Sequence, residues 1–471
     1  MIAGQTHKKK SVSSSGYTCV RLAGTSDLGA LHAHNPERYP HLLASTAQGS
    51  SRSRYDILFA FPGESLTLDA GQQLYHNQQK LSANDFLAAF DREWHRLSVP
   101  AVARHAPLDD APPFTGGWFV FMGYELAAQI EPSIGNATCE SSFPVASATR
   151  VPAAVINDYA TRQTLLVCET GYEKELLPLL RDDAGRQEMP LDANIILGII
   201  HEEPPEQFLE QVGRVKNYIQ AGDVFQVNLS RVWKIELEKT ATPLSLFRRL
   251  SSSNPAPFAG LMTFGRGRAI ISSSPERLVE VRNGMVRTRP IAGTHPRSPD
   301  SAEDRKLSQA LMQHPKERAE HIMLIDLERN DLGRVCRTGT VKVNELMVLE
   351  SYRHVHHIVS EVSGSLRDNT SPAGVMRAVF PGGTITGCPK VRCMQIIAEL
   401  EHTPRLAYTG SMGYVNRDGS MDLNILIRTL VQNGREIQLR AGAGIVADSI
   451  PERELQETRA KAKGLLAALG I

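Results

Sequence analysis

Short apolar runs closed by Gly, Pro or Asn/Asp recur along this chain, and helical periodicity does not fall regularly between them. Tyr55-Asp-Ile-Leu-Phe-Ala, Gly117-Trp-Phe-Val-Phe-Met-Gly, Ala153-Ala-Val-Ile and Leu165-Leu-Val-Cys lie in the first half. Val224-Phe-Gln-Val-Asn-Leu, Ala269-Ile-Ile-Ser-Ser-Ser, Leu278-Val-Glu-Val and the stretches 406–416, 421–431 and 436–447 lie in the second. Runs of this kind read as strands. Parallel strands need a crossover, usually a helix, between each pair. Strands without regular helices therefore imply a large α+β architecture with mainly antiparallel sheets. Helical spacing is confined to 205–220, where Phe208, Leu209, Val212, Val215 and Ile219 share a face before Gly222, to about 303–335, and to the last segment, Pro451 to Leu469. Segment 177–204 reads as a connector ending in Pro204-Pro205.

Composition removes several function classes. Lys+Arg 52 against Asp+Glu 51 leaves a net charge of +1 over 471 residues, so no basic excess points to nucleic acid. No run approaches the roughly 20 apolar residues that span a bilayer. The opening MIAGQTHKKKSVSSSG lacks the apolar core of a signal peptide, so residues 1–17 are expected to be a disordered tail and the location cytoplasmic by default. The six cysteines are scattered, with no CxxC pair to suggest zinc or redox work.

The residues that can carry chemistry concentrate after position 222. Glu276, in Ser274-Pro-Glu-Arg277, is either a solvated loop acid or a carboxyl placed for proton transfer at a strand end. Glu317 and Glu320 share one helix face, as do Glu457 and Lys461. Two helices that each offer a carboxylate suit a hard cation such as Mg²⁺, although a helical salt bridge explains Glu457 and Lys461 equally well. Arg428 sits among apolar neighbours in a strand-like stretch, where a guanidinium must be paired and is suited to gripping a carboxylate. The glycine clusters at Pro381–Lys390 and Arg440–Ile445 are tight turns or close backbone approaches to an anion. Of His356 and His357, alternation puts one toward a site and the other away. Together these residues describe a Mg²⁺-assisted enzyme acting on a small polyanion.

SPERL, RPIAGT, RAEHIMLIDLERNDLGRV, FPGGTITGCPKVRCM, GSMGY, MDLNILIRTL and AGAGIVADS, spread over about 205–465, closely resemble the chorismate-utilising enzymes. That resemblance implies two large, mainly antiparallel β-sheets packed as a sandwich with peripheral helices and a central cleft. Residues 18–180 would form an N-terminal subdomain and 205–467 the chorismate-binding catalytic region. It further implies Mg²⁺ on Glu320 and Glu457, with Glu317 beside them, holding the ring carboxylate. Arg428, Tyr408 and the backbone of Gly442, Ala443 and Gly444 would hold the enolpyruvyl carboxylate, with Lys461 near the metal and Gly293 near the substrate. Glu276 would protonate the departing C4 hydroxyl beside His357, with Thr294 close by.

Within that family, Gln226 stands where the water-adding enzymes have a lysine base, which favours amination. Ala292 stands where aminodeoxychorismate synthases have a nucleophilic lysine, as it does in anthranilate synthases. The Phe380–Gly387 and Gly410–Gly413 segments nevertheless resemble the aminodeoxychorismate branch, as does His41–Ser45 with Arg54–Ala60. The expectation is therefore amination at C4 by an aminodeoxychorismate synthase component I lacking its lysine, with anthranilate synthase component I as the alternative. A non-catalytic relative would have no use for Glu276, Glu320 and Glu457 together. No glutaminase motif is present, so a separate amidotransferase subunit would supply ammonia. Ser45 with Asn254, Pro255 and Phe258 resembles the family's tryptophan pocket.

Overall fold

The computed structural model describes residues 12–14, 16–47, 54–100, 111–135, 141–184, 197–351 and 355–471, with backbone only at 12–14, 197, 294–296 and 316. Of the expected N-terminal tail, 1–11 and 15 fall outside the described residues, and Val12–Ser14 pair with Tyr17–Cys19 as a short strand.

Two sheets of thirteen and twelve strands dominate. The first runs in space from Val12–Ser14 through Tyr17–Ala23, Gln163–Glu169, Ala153–Asp158, Tyr55–Ala60 and His41–Ala44. It continues through Phe258–Thr263, Arg268–Ser274, Thr429–Asn433, Glu436–Ile445, Gln226–Leu237 and Leu197–Glu202. The second runs from Ile291–Pro296 through Val355–Ser365, Met285–Thr288, Arg277–Arg282, Met421–Asn424 and Ser411–Asn416. Gly117–Met122, Ala146–Val151, Ser65–Leu68, Leu74–His76 and Gln79–Lys80 follow; off these two paths, Lys342–Ser351 pairs with Val355–Ser365 and Gly387–Cys388 with Gln226–Leu237, which completes the strands among the described residues. Both ladders are antiparallel, as the missing crossover helices require. The two halves of the sequence share both sheets. Their seams are His41–Ala44 against Phe258–Thr263 in one, and Gly117–Met122 against Ser411–Asn416 in the other.

Alternation along the strands produces three apolar layers. Phe59, Phe119, Phe121, Met262, Ile270 and Met412 pack between the sheets. Helices Leu28–His34, Pro243–Ser253 and Pro451–Leu469 cover the outer face of the first sheet. Helices Phe86–Leu97, Pro315–Gly333 and Pro372–Val379 cover the second. A further cluster seats Pro205–Gln220 and Lys390–Leu400 against the first sheet.

Several local readings change. The long helix is two, Ser301–Gln313 and Pro315–Gly333, because the residue before a proline is pushed out of helical geometry, and His314 is extended. The connector holds the end of helix Glu173–Ala184 and the edge strand Leu197–Glu202. The stretch 421–431 is not one strand: Met421–Asn424 lies in the second sheet and Thr429–Asn433 in the first, so Arg428 is not mid-strand. Its φ of 54° places it in the left-handed turn by which the chain changes sheets.

Candidate active site

Two such crossings lie side by side. Between Arg268–Ser274 and Arg277–Arg282 the chain passes from the first sheet to the second, and between Met421–Asn424 and Thr429–Asn433 it passes back. The crossings are tied together: Ile425 N donates to Glu276 O at 3.0 Å, Ser273 N donates to Arg428 O at 3.0 Å, and Ser274 Oγ donates to Ile425 O at 2.5 Å. The crossings set Glu276 and Arg428 near each other, close enough for the Arg428 charge to act on the Glu276 carboxyl.

Glu276 is 5% exposed, and its Oε1 has no hydrogen-bond partner among the described residues. Burial pushes its carboxyl up to about 7, against the opposing influence of Thr384, the backbone near Ile291, and the charges of Arg428 and Lys461. A carboxyl so placed holds a proton near neutral pH. Arg428 is partly buried, and its guanidinium makes no hydrogen bond or ion pair among the described residues. Burial lowers its affinity for the proton, while Tyr408, Glu457 and Glu276 oppose that effect.

The other walls bring in most of the expected residues. His357, on Val355–Ser365, bonds the Gly293 backbone; burial first, then the Arg428 charge, pulls its pKa down to about 4, so the ring is neutral. His356 faces the other way, 2.7 Å from Ser351 Oγ and 3.0 Å from Asp304 Oδ1. Ala292 is buried opposite Ile358, and the strand bulges between Ala292 and Thr294. Gly293 has φ 65°, and a Cβ there would come 2.9 Å from Glu317 Oε2, so this carboxylate borders the cleft. The Thr294 side chain lies outside the described residues; its backbone pairs with His357.

Gln226, 9% exposed with Oε1 unpartnered, lies against Gly444. Any side chain at Gly442 would strike the Tyr408 hydroxyl, 2.7 Å from where its Cβ would stand. Lys461 Nζ bridges the Gly442 carbonyl at 2.9 Å and Glu457 Oε1 at 2.6 Å, so the helical salt bridge exists and also reaches the cleft wall. Ala443 is fully buried between these glycines and contributes backbone.

The carboxylates near these residues suit a hard cation. Glu317 borders Gly293, Glu320 lies one turn further along the same helix, and the charge of Glu457 reaches Arg428. A carboxylate-only donor set fits Mg²⁺ with water and substrate oxygens completing its shell. Glu317, Glu320 and Glu457 do not converge closely, however; the close grouping of three ligand atoms among the described residues is instead Glu64, His76 and Glu93 at the surface. Its two carboxylates are already taken by Arg96, at 2.7 and 2.8 Å.

Some participants escaped the sequence reading. Thr384 sits in the glycine-rich segment and faces Glu276. Behind Glu276, Glu328 is buried, and its carboxyl is pushed up to about 8 by burial and by Asp331, itself paired to Lys390 at 2.7 Å. Glu401 links Arg405 at 2.6 Å and Arg440 at 2.9 Å in full burial, and the Arg405 guanidinium lies 5.6 Å from the Tyr408 ring centre. No sequence signal marked this pair: helix Lys390–Leu400 ends before Glu401, and Glu401–Arg405 is an irregular segment in which i, i+4 spacing has no helical meaning.

Ser45 and Asn254–Phe258 are neighbours. Ala44 pairs with Ala259, Thr46 N donates to Ala256 O, and Ser45 Oγ is buried without a partner among the described residues.

Comparison with known proteins agrees with this arrangement. The family model described as chorismate binding enzyme matches residues 40–467. An anthranilate synthase component I-like protein of Synechocystis is 43% identical over 363 residues, covering 76% of this chain and 73% of that protein. Anthranilate synthase component 1 of Geobacillus stearothermophilus is 37% identical over 457 residues, covering 91% and 88%. The crystal structure of anthranilate synthase component I from Streptococcus pneumoniae superposes with a TM-score of 0.77 at 32% identity, covering 88% of this chain and 93% of that one. The menaquinone-specific isochorismate synthase of Escherichia coli, at 17% identity and TM-score 0.70, shares the fold.

These relatives overturn the placement in the aminodeoxychorismate branch. Ala292, in the wall of the site, was the better guide.

Proposed function

The chain belongs to the chorismate-binding enzyme family, and from that premise we propose that it is an anthranilate synthase component I. It adds ammonia to C2 of chorismate as the C4 hydroxyl leaves, then releases pyruvate to give anthranilate. The observation that carries this reading is the pairing of a protonated, buried Glu276 with an unengaged Arg428 on adjacent sheet crossings.

Glu276 donates its proton to the C4 oxygen, which departs as water; protonation turns a poor leaving group into a good one. Arg428 and the Tyr408 hydroxyl bind the enolpyruvyl carboxylate over the backbone of Gly442, Ala443 and Gly444. Neutral His357, held by Gly293, lines the same side without adding a second charge beside Arg428. The Gln226 amide is no base, and ammonia needs none, so water is not activated at C2. Ala292 offers no nucleophile, so addition is direct. Once nitrogen is bound at C2, loss of the C2 proton and of the enolpyruvyl group, which leaves as pyruvate, makes the ring aromatic. Glu320 and Glu457, with Glu317 alongside, would hold Mg²⁺, which when bound supplies fixed positive charge for the ring carboxylate.

A separate glutaminase subunit supplies ammonia in this reading, and Ser45 with Asn254, Pro255 and Phe258 forms a tryptophan pocket. No described helix is long and apolar enough to cross a membrane. The deciding assay gives the purified chain chorismate, Mg²⁺ and ammonium and identifies products by mass. Anthranilate and pyruvate in equal amounts are expected; 4-amino-4-deoxychorismate without pyruvate would overturn the proposal.

A further inference from the structure

At the Met262 end of Phe258–Thr263 an open cavity of about 1050 Å³ runs between the ends of the two sheets and out past helices Leu28–His34 and Pro243–Ser253, at the upper end of the range for small-molecule sites, roughly 300–1,000 Å³. None of Glu276, Arg428, Tyr408, Ser45 or Phe258 lines it.

Its walls are chemically unlike the rest of the interior layer. In Ser65–Leu68, Leu66 and Leu68 pack into the helix-side core, so alternation turns Ser65 and Thr67 inward. In Ala146–Val151, Ala146 and Ala148 go to that same core, and Ser147 and Thr149 turn inward. Register sets Ser65 opposite Thr149 and Thr67 opposite Ser147. Four hydroxyl residues therefore form a square where the neighbouring interior is Phe, Ile and Met.

The facing wall is His41 paired with Met262, with Phe143 and Phe264 beside them. The His41 ring stacks on Phe119 at 4.3 Å. Ser147 Oγ and His41 Nδ1 are buried without a hydrogen-bond partner among the described residues. A buried hydroxyl and a buried ring nitrogen facing inward without partners are a poor choice for a closed core and a suitable one for a ligand pocket. At the rim, Gly265-Arg-Gly-Arg268 forms a turn with φ of 72°, 52° and 72° at its first three residues. Arg268 donates to Ser142 O and Phe264 O, while Arg266 makes no ion pair among the described residues. Glu37 and Asp69 also reach the rim, and Arg248 there is held by Asp27 at 2.8 Å.

We propose that this cavity is a second small-molecule site, separate from the chorismate cleft, for a ring-bearing carboxylate. The ring lies between Met262 and the two phenylalanines, its polar substituents meet the hydroxyl square, and the carboxylate points to Arg266 and Arg268.

Calorimetric titration of the full chain with indole-3-acetate tests this, with and without saturating chorismate and Mg²⁺. Saturable one-to-one binding that chorismate leaves unchanged is expected. Arg266→Gly, which suits the left-handed turn, should weaken binding about tenfold by removing a charge-assisted contact. Thr67→Phe should abolish binding by filling the cavity; if that variant does not fold, Arg266→Gly decides alone. No binding at millimolar probe, competition by chorismate that disappears in an Arg428→Ala variant, or loss in a Ser45→Phe variant with full retention in Arg266→Gly would each overturn the proposal.

Discussion

Replacing Glu276 with Gln tests the proton donor on two independent axes. At pH 7 a carboxyl at about 7 is half protonated, whereas one at the ordinary 4.5 is protonated about 0.3% of the time. Burial thus raises the acid form more than about a hundredfold. A positioned general acid contributes about 10²–10⁴-fold, so Glu276→Gln should lower kcat by at least about a hundredfold and leave chorismate binding nearly intact. Wild-type kcat should fall as pH rises through about 7, as the acid form disappears.

Stability should move the other way. The folded protein holds this proton up to about 7 and the unfolded chain only to about 4.5. Wild-type stability is therefore undiminished by this group below pH 4.5 and declines between about 4.5 and 7, by about 3 kcal/mol in total. The Gln variant has no such decline, so at pH 8 it should resist urea better than wild type while being nearly inactive. Steady-state rates with ammonium from pH 5.5 to 9, and urea melts at pH 5 and 8, give both numbers. A variant retaining a tenth of wild-type kcat, or equal pH dependence of stability in the two proteins, would refute the assignment.

Glu320→Gln or Glu457→Gln should abolish turnover and the response to added Mg²⁺ while circular dichroism stays native; full wild-type activity in excess EDTA would contradict the metal role. Gln226→Lys should divert part of the flux to a hydroxylated product detectable by mass, because an amine beside Gly444 can serve as a base for water; unchanged amination alone would remove Gln226 from the specificity argument. Glu401→Gln leaves Arg405 and Arg440 buried without their carboxylate, which should cost about 3–5 kcal/mol in chemical denaturation and raise KM through Tyr408; a melt unchanged from wild type would show the network is dispensable. Tryptophan should raise the melting temperature of wild type and not of Ser45→Phe, and equal shifts in both would place it elsewhere.

Much of the fold was legible because it rests on local signals. Runs such as Gly117–Met122 and Ala153–Asp158 are strands wherever they pack, and the lack of intervening helices compels antiparallel pairing. The helix over 205–220 follows from the spacing of Phe208, Val212 and Val215 alone. The residue types of the site were visible from motif and spacing, although from sequence alone a solvated loop acid explained Glu276 and a helical salt bridge explained Glu457 as well. Their placement was another matter. Arg428 reads as mid-strand because nothing in Ile427-Arg-Thr says that the chain is leaving one sheet for the other; that depends on where each sheet's partners lie, hundreds of residues away in some cases. The perturbed carboxyl of Glu276 has no sequence signal either, since burial is a property of the walls and not of Ser274–Arg277. The branch assignment failed because resemblance of the Phe380–Gly387 and Gly410–Gly413 segments was weighed above Ala292, the position whose chemistry differs between the branches. Sequence settled which groups this protein has and what its strands must do. Only the tertiary structure decided which groups share a solvent-poor space, because that is set by two sheets closing over two adjacent crossings.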